Sequence, residues 1–282
     1  MDVPDFVVVG HAVRDLVPGG WRLGGTVTFA ATQAHRLGLS VGVVTRVAAD
    51  TDLQSELMFA TIAVGPSDTT TVFENVYSAG HRDQHIRDRA AAITAADVPE
   101  AWRAAPIVLL GPVFGEIAPG FASLFGDASL VGVSVQGWLR AADAQERVLH
   151  TPWRGEPFWS GCDALFVSDE DLTGGEDELA RWTADIPIVA MTESAHGAQV
   201  YAAGRWRKMP AFPEEEVDAT GAGDTFATAF LIRLHETGDV DEAARFGAAA
   251  ASLSVGGVGT AAIPTRSEVE QRLQRYPEVA LR

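Results

Sequence analysis

Six short runs of apolar residues, rich in valine, isoleucine and leucine, constrain the fold of this chain most strongly. Each run holds four to seven residues, and stretches of helical or loop character separate them. Such runs are typical of strands that are buried on both faces of a parallel sheet. Their alternation with helices predicts an α/β fold in which crossover helices join parallel strands. The runs are residues 6–10, 41–47, 107–111, 130–135, 164–167 and 188–192.

Composition narrows the class of protein. The chain has 282 residues, of which 47% are hydrophobic, and this suits one large α/β domain and excludes wholesale disorder. No apolar run reaches the length of a membrane span, and the first residues are acidic where a secretory signal would be basic. We therefore expect a soluble cytoplasmic protein. The single cysteine, Cys162, permits no internal disulfide and is predicted to be a small buried residue.

The charge of the chain limits its partners. With 21 basic and 38 acidic residues the net charge is −17, which argues against nucleic acid or an anionic membrane as a partner. It does not argue against ATP, because backbone N–H groups and Mg²⁺ can hold phosphates locally on an acidic protein.

A glycine-containing stretch, VDATGAGDTF at residues 217–226, leads into a predicted helix at residues 225–235. Gly221 and Gly223 allow unusual backbone conformations, and the first turn of a helix leaves several N–H groups unpaired. With the positive end of the helix dipole, these groups form an anion hole. Asp224 beside it fits a general base for an attacking hydroxyl. The alternative is that the glycines only make a tight turn and the polar residues cap the helix: Asp218, Thr220 and Asp224.

The string DATGAGDTFATAF at residues 218–230 resembles the DTxGAGD signature of the ribokinase-like (PfkB) family of carbohydrate kinases, with Ala219 at a variable position. The resemblance implies a three-layer α/β/α fold with a mostly parallel central sheet and a small β lid. It implies one kinase domain spanning residues 1–282. Asp224 would be the catalytic base, and the amides of Gly221, Ala222 and Gly223 would hold the transferred phosphoryl group.

A second stretch, LGGTVTFAATQAHRLG at residues 23–38, resembles another signature of this family, GGxxxNxAxxxxxLG. By this resemblance Gly24 and Gly25 let the backbone approach the acceptor, and Asp15, just past a predicted strand, binds its hydroxyls. Phe29 stands where the family usually has asparagine, and Gln136 directly follows a central strand. Both features resemble the inositol-kinase-like branch, which makes both residues candidates for acceptor contact. For Gln136 the alternative is loop capping.

Two segments depart from the family pattern. Residues 48–52 keep only Asp50 of a GxDxxG loop and have Ala49 before it. At the end of a predicted strand, Ser168 and Asp171 replace the Asn and Glu of an NxxE motif. The resemblance implies that Glu170 or Asp171 contacts Mg²⁺ through water. Acidic residues that open a helix equally predict capping.

The donor side of the site is also implied by resemblance. TESAHG at residues 192–197 is similar to the TxGxxG nucleotide loop of the family. Candidates for contact with ATP are therefore Thr192, Ser194, Gly197 and Thr220. Gly256 and Gly257 follow an alanine-rich helix predicted at residues 241–254. By resemblance this turn lines the adenine pocket and contributes to a monovalent-cation (K⁺) site.

Residues 69–89 differ from the rest of the chain. Valine, phenylalanine and tyrosine alternate with polar residues, and Gly80 stands at a turn, a pattern that predicts a β-hairpin. The family uses such an insertion as a lid over the sugar. We therefore expect a lid from about residues 13–23 and 69–90. Family analogy also allows a homodimer formed through the lid.

The predicted function is that of an ATP-dependent kinase acting on a hydroxyl of a sugar or an inositol-like cyclitol. The sequence has no G-x-x-x-x-G-K-[ST] motif, which excludes a P-loop kinase. A nucleoside kinase of the same fold is one alternative. A sugar- or nucleotide-binding relative without turnover is another, suggested by the departures at Phe29, Ala49 and Ser168. The intact GAGD sequence argues against it, because a binding protein gains nothing from a carboxylate that faces ATP.

Overall fold

The computed structural model describes residues 2–78, 81–153 and 159–282. Its strands are β1 Phe6–Val9, β2 Val13–Val17, β3 Gly20–Gly24, β4 Val41–Val47, β5 Thr61–Pro66, β6 Thr71–Ser78, β7 His81–Asp88, β8 Ile107–Leu110, β9 Leu130–Ser134, β10 Arg140–Ala142, β11 Val148–His150, β12 Ala164–Ser168, β13 Ile188–Thr192, β14 Ala198–Ala202 and β15 Arg205–Met209. Its helices are α1 Thr26–Arg36, α2 Gln54–Leu57, α3 Gly175–Asp185, α4 Ala222–Thr237, α5 Val240–Ser254 and α6 Arg266–Arg275. None of these helices is long and apolar enough to cross a membrane.

A nine-stranded sheet forms the centre of the described chain, in the order β15-β14-β13-β12-β9-β8-β1-β4-β5. The strands from β13 to β5 are parallel, and β14 and β15 add an antiparallel edge. All six strands predicted from the apolar runs are present, so the predicted α/β class is confirmed. The carboxyl ends of parallel strands lie on one side of a sheet, where ligands bind in open α/β folds.

Two apolar clusters cover the two faces of this sheet. On one face, α1, α4, α5 and α6 contribute to a cluster that includes Phe226, Phe230 and Phe246. On the other face, residues of α3 and the connecting segments form a cluster rich in tryptophan, with Trp102 and Trp182 fully buried. The three-layer arrangement predicted from the family resemblance is therefore present.

The second face differs from the expectation in one respect. The sequence pattern predicts crossover helices between β8 and β9 and between β9 and β12. The described residues there instead form 3₁₀ turns, at Phe121–Leu124 and Gln136–Leu139, and the β10–β11 hairpin. Residues 111–129 contain six glycines and prolines, which interrupt helices. Aromatic side chains fill this layer in place of a long helix.

A separate four-stranded sheet has the order β3-β2-β6-β7, and we call it the lid, although its role as a cover over an acceptor stays a prediction. These strands fall within the predicted segments at about 13–23 and 69–90, extended by one residue at Gly24. Phe73 and Ile86 are buried with Val13 and Val113, and this cluster joins the lid to the loop after β8. The turn predicted at Gly80 lies outside the described residues.

The C-terminal helices agree with the sequence analysis except at one end. Helix α5 matches its predicted segment closely, whereas α4 begins three residues before the predicted start at Thr225. Gly221 is its N-cap, with φ +79°, so the GAGD sequence includes the first turn of the helix. The amides at this helix start therefore belong to the motif itself.

Glu116 joins the loops that follow two central strands. Its carboxylate is only 5% exposed and accepts hydrogen bonds from the backbone N–H groups of His11, Val113 and Phe114 at 2.8–3.0 Å. His11 follows β1, and the other two residues follow β8. When these N–H groups are buried they lose their hydrogen bonds to water, and the carboxylate replaces those bonds by accepting a hydrogen bond from each group.

We predict that Glu116→Ala lowers the free energy of unfolding by about 3 kcal/mol or more, because three buried N–H groups lose their acceptor. Glu116→Gln keeps one acceptor oxygen and should lose less. Urea denaturation measures both changes, with the exposed Glu100→Ala as the control. A Glu116→Ala variant as stable as the wild type would contradict this account of the two loops.

Candidate active site

The backbone around Gly221 is shaped by a close neighbour. Gly221 has a left-handed conformation, and a Cβ atom placed on it would lie 2.1 Å from Cδ1 of Phe29. Any side chain here would therefore be strained by its φ angle and would also collide with the aromatic ring. Phe29 is 5% exposed and forms a wall beneath the helix start. Its contact with an acceptor stays a prediction.

The amides of the GAGD sequence are not equivalent. Ala222 donates its N–H to the carbonyl of Ala219 at 3.2 Å. Among the described residues, no hydrogen-bond acceptor is found for the N–H groups of Gly221, Gly223 and Asp224, as expected at the start of a helix. A Cβ atom on Gly223 would meet nothing within 4 Å, so this side of the turn is open. The predicted anion hole would therefore also include the amide of Asp224, which the sequence pattern did not single out.

Asp224 is half-buried in the first turn of α4. Burial raises the pKa of its carboxyl group to about 6. A hydrogen bond from the Thr26 side chain and the charge of Arg140 both lower this pKa, but burial outweighs them. The charge of Asp171 adds to the rise. The hydrogen-bond partner found for the Asp224 carboxylate is the Thr26 side chain rather than a backbone N–H group of α4. The capping interpretation therefore does not account for this residue.

Asp218 does stabilise the turn before the helix. Its carboxylate accepts N–H groups of Thr220 at 3.0 Å and of Gly259 at 3.3 Å, and Arg22 on β3 lies 4.0 Å away. Burial raises the pKa of Asp218, but these hydrogen bonds and Arg22 outweigh it, so the pKa lies below its ordinary value. The carbonyl of Val255 accepts the N–H groups of Val217 and Asp218. The turn at Gly256 and Gly257 therefore lies directly beside the motif.

Three predicted acceptor residues lie together where β3 leads into α1. A Cβ atom on Gly24 would lie 1.9 Å from Oδ2 of Asp15, and one on Gly25 would lie 2.4 Å from the carbonyl oxygen of His11. Gly25 has φ +85° and precedes Thr26, the partner of Asp224. The structure thus connects Asp15, Gly24 and Gly25 to Asp224 through a short piece of chain.

Gln136 and Asp171 are partners of each other. The Gln136 amide donates to the Asp171 carboxylate at 3.1 Å, and Nδ1 of His150 lies 3.0 Å from the other oxygen of the same carboxylate. Asp171 is 3% exposed, whereas Glu170 is exposed. Protein groups thus occupy both oxygens of Asp171, and the geometry favours Glu170 for the predicted water-mediated metal contact. Ser168 accepts the N–H of Glu170 at 3.3 Å, so a serine rather than an acidic residue caps this turn.

The predicted nucleotide loop forms the turn between β13 and β14. Thr192 ends β13, and Ser194 and Gly197 have φ values of +47° and +94°. A Cβ atom on Gly197 would lie 2.1 Å from the carbonyl oxygen of Met209, so β15 fixes a glycine here. Together with Thr220 and the turn at Gly256, this loop gives the predicted donor residues; their contacts with ATP stay predictions.

Comparison with known proteins connects this geometry to a family. Residues 159–266 match the profile of the pfkB family carbohydrate kinase. Ribokinase of Bacillus subtilis (strain 168) is 46% identical over 98 residues, 34% of this chain and 32% of the relative. These matches cover about a third of the length of the curated ribokinases. The predicted resemblance to the ribokinase-like (PfkB) family is therefore confirmed over this part of the chain.

Two broader matches extend over most of the chain. Cytidine kinase of Thermococcus kodakarensis is 28% identical over 267 residues, 86% of this chain and 93% of the relative. A pyrophosphate-dependent kinase in the ribokinase family, solved with a pyrophosphate analog and myo-inositol, superposes with a TM-score of 0.77. It has 23% identity and covers 95% of this chain and 99% of its own. The superposition establishes the ribokinase fold.

Three residues of this ribokinase-like site escaped the sequence analysis. Thr26 has a findable signal, since it directly follows Gly25 and opens α1. Arg140 and His150 are directly paired across the β10–β11 hairpin, and they act on Asp224 and Asp171 respectively. This hairpin has strands of only three residues and gives no alternating pattern that would reveal it.

We predict that Asp224→Asn makes the protein more stable at neutral pH. The pKa of Asp224 is about 6 in the folded protein and about 4 in the unfolded chain. Between pH 4 and pH 6 the folded protein therefore binds a proton that the unfolded chain has released. As pH rises through this range, the free energy of unfolding falls. At pH 7.5 the variant should gain about 1–3 kcal/mol, and the gain should narrow at pH 5.

Urea denaturation at both pH values measures this difference. Asp127→Asn, at an exposed aspartate, is the matched control and should stay within about 0.5 kcal/mol of the wild type. A loss of stability in Asp224→Asn at pH 7.5 would mean that the charged carboxylate stabilises the fold.

Proposed function

We propose that the protein is a kinase that transfers the γ-phosphoryl group of ATP to a hydroxyl of a sugar or cyclitol, with residues 1–282 acting as one domain. The observation that carries the proposal is the half-buried Asp224, whose pKa of about 6 accompanies an open helix start with unpaired N–H groups. A base with a pKa near the working pH is effective in proton transfer.

The residues that lie together near Gly25 would bind the sugar or cyclitol that accepts the phosphoryl group. Asp15 would accept hydrogen bonds from acceptor hydroxyls, and the bare backbone at Gly24 and Gly25 would let the acceptor approach. The Asp224 carboxylate would then take the proton of the attacking hydroxyl. Gln136 is held through its amide nitrogen by Asp171, which supports a fixed position at the rim of the acceptor pocket.

The amides of Gly221, Gly223 and Asp224 would bind the phosphoryl group as charge develops on its oxygens. Preorganised N–H groups at a helix start need no reorganisation during the reaction, which makes their effect large. The Ala222 amide supports the shape of this turn through its bond to Ala219. The donor would extend from here toward the turn at Gly197 and the turn at Gly256.

Mg²⁺ fits the donor set at the end of β12. The carboxylates of Asp169 and Glu170 are exposed there, and Mg²⁺ binds through carboxylates, water and phosphate oxygens. The ion would offset the negative charge of the donor phosphates. A monovalent cation near the turn at Gly256 and a homodimer through the lid remain expectations from the family.

Two other candidates have specific support. The 28% identity to cytidine kinase of Thermococcus kodakarensis extends over 93% of that protein and favours a nucleoside as the second acceptor class. The superposition on a pyrophosphate-dependent kinase with myo-inositol makes pyrophosphate the second donor candidate. Both would use the same base and anion hole.

We expect Asp224→Asn to lower kcat at least roughly 10²-fold, the scale of a lost general base. For the wild type, kcat/KM should fall as pH drops through about 6, because protonated Asp224 cannot accept the acceptor's proton. Steady-state rates from pH 5 to 8.5 measure both effects. Near-normal turnover of Asp224→Asn would rule out this residue as the base.

A matrix of donors and acceptors tests the reaction itself. The donors are Mg·ATP and Mg·pyrophosphate, and the acceptors are myo-inositol, ribose, fructose, cytidine and adenosine. Product formation is followed by ³¹P NMR, which detects any phosphoester regardless of the donor. Turnover with cytidine or adenosine alone would favour a nucleoside kinase. No product in any combination, with ATP binding seen by calorimetry, would favour a relative without turnover.

A further inference from the structure

His11 lies where the chain crosses between the central sheet and the lid. In the described part of the chain four connecting segments make these crossings, namely residues 10–12, 25, 67–70 and 89–92. His11 belongs to the first segment, between β1 and β2, and is only 2% exposed. A Cβ atom on Gly25 would lie 2.4 Å from the carbonyl oxygen of His11, so the second segment passes directly over this backbone. The imidazole ring contacts the other two connections at their lid ends.

Both ring nitrogens of His11 take part in hydrogen bonds at the base of the lid. Nε2 lies 2.9 Å from the carbonyl oxygen of Ala91, after β7, and Nδ1 lies 2.9 Å from Oγ1 of Thr71, which opens β6. Because a carbonyl oxygen only accepts, Nε2 carries the donated proton. Oγ1 of Thr71 accepts the backbone N–H of Ala90 at 3.0 Å, so its own hydroxyl proton is available for Nδ1. In this tautomer every group of the network has a partner.

The backbone of His11, in contrast, is fixed to the central sheet. Its N–H donates to Oε1 of Glu116 at 2.9 Å, in the loop after β8. The next N–H, that of Ala12, donates to Oγ1 of the fully buried Thr45 on β4 at 2.8 Å. Breaking such buried hydrogen bonds is costly, because no water replaces the lost partner. His11 therefore has its backbone held by the central sheet and its ring held by the base of the lid.

The position of the lid reaches the proposed acceptor site through β2. Val13 on β2 lies opposite Thr71 on β6, and Asp15 follows two residues further along β2. The contact between His11 and Thr71 thus lies at the base of the same strand pair that carries Asp15. A tilt of the lid about its base would move this carboxylate relative to Gly25, which lies over the backbone of His11.

We propose that His11 is a positioning residue whose imidazole holds the lid, and with it Asp15, in the place where the acceptor binds. This inference rests on the proposed function, because it takes Asp15 as the acceptor contact. Without the imidazole links the lid would be in its binding-competent position for only part of the time, and the apparent affinity for the acceptor falls in proportion to that fraction. A saturating acceptor would still hold the lid in place, so kcat should change little.

Thr71→Val tests the link with a small change, because valine has a similar shape but no hydroxyl group. The KM for the acceptor should rise roughly tenfold, whereas kcat and the KM for the donor should stay within about twofold of wild type. Thr71→Ser keeps the hydroxyl group and should behave like the wild type. Steady-state rates are measured with Mg·ATP and the acceptor turned over fastest among myo-inositol, ribose, fructose, cytidine and adenosine.

His11→Gln tests the ring itself. The glutamine amide can donate to Ala91 from about the position of Nε2 but has no acceptor at the position of Nδ1, so this variant should resemble Thr71→Val. Val269→Ala is the matched control for lost stability, since Val269 is fully buried in α6, which packs against α5. Its unfolding temperature should fall while its acceptor KM stays at the wild-type value.

Three kinetic outcomes would overturn the proposal. The first is a wild-type acceptor KM in Thr71→Val, and this variant alone decides should His11→Gln fail to fold. The second is a rise in Thr71→Ser as large as that in Thr71→Val, because the hydroxyl group would then be irrelevant. The third is an equal rise in Val269→Ala, because the effect would then follow from lost stability.

Amide hydrogen exchange, followed by NMR in the protein without substrates, gives a readout that needs no turnover. In His11→Gln the N–H groups of Ala90 and Ala91 keep their acceptors, Oγ1 of Thr71 and Oγ of Ser67. Faster exchange there therefore reports movement of the connecting segment rather than the loss of a partner. We expect these two amides to exchange roughly tenfold faster than in the wild type, the factor expected for the acceptor KM.

This readout separates the inference from the proposed function. In Val269→Ala the amides of Ala90 and Ala91 should exchange at the wild-type rate. Unchanged exchange of both amides in His11→Gln would overturn the role of His11 even in an active kinase. Absence of wild-type turnover with every acceptor would refute the kinase assignment and leave the comparison of exchange rates intact.

Discussion

The hydrogen bond from the Thr26 side chain to the Asp224 carboxylate holds together the two helix starts from which the candidate site is built. Thr26 is the first residue of α1 and Asp224 lies in the first turn of α4, so the positive ends of two helix dipoles meet at one carboxylate. Glycines behind the contact make it possible. A Cβ atom on Gly111 would lie 2.2 Å from Cγ2 of Thr26, and one on Gly10 would lie 2.3 Å from the carbonyl oxygen of Gly111. Because Gly10 and Gly111 carry no side chains where β1 and β8 end, α1 can begin close enough to α4 for Thr26 to contact Asp224.

The pKa of Asp224 follows from a competition in which burial prevails. Two helix starts, the Thr26 side chain and Arg140 favour the ionised form, yet the pKa still rises from its ordinary value to about 6. This value suits proton transfer at neutral pH, because the carboxylate is mostly ionised and its conjugate acid is still accessible. The same burial carries a cost in stability at neutral pH, which is the usual relation between a functional charge and the fold that holds it.

The sequence predicted the layers of the fold better than the contacts of the site. The apolar runs and the alanine-rich stretch mark strands and a helix through local rules, and the six central strands and α5 follow them. The crossover segments did not, because glycines and prolines interrupt the segment after β8 and a short hairpin occupies the segment after β9. The resemblance located Asp171 by its motif, but its partner His150 depends on the register of a short hairpin. Phe29 was recognised as a departure, whereas its packing against Gly221 follows only from the angle between α1 and α4.

On a protein with this net negative charge, a polyanionic phosphate donor has to be held by groups that lie close to its phosphates. The single lysine of the chain, Lys208, pairs with Glu193, so no lysine is left for the donor phosphates. Repulsion from the net charge of −17 is screened beyond about 8 Å at physiological ionic strength. Within that distance the helix start offers N–H groups of fixed direction, and Arg140 and Arg22 compensate nearby carboxylates. Because fixed N–H groups recognise the shape of a phosphoryl group rather than its total charge, the proposed anion hole would suit either of the two proposed donors, ATP and pyrophosphate. The loop at Gly197 and the turn at Gly256, rather than the anion hole, would then decide which donor is used.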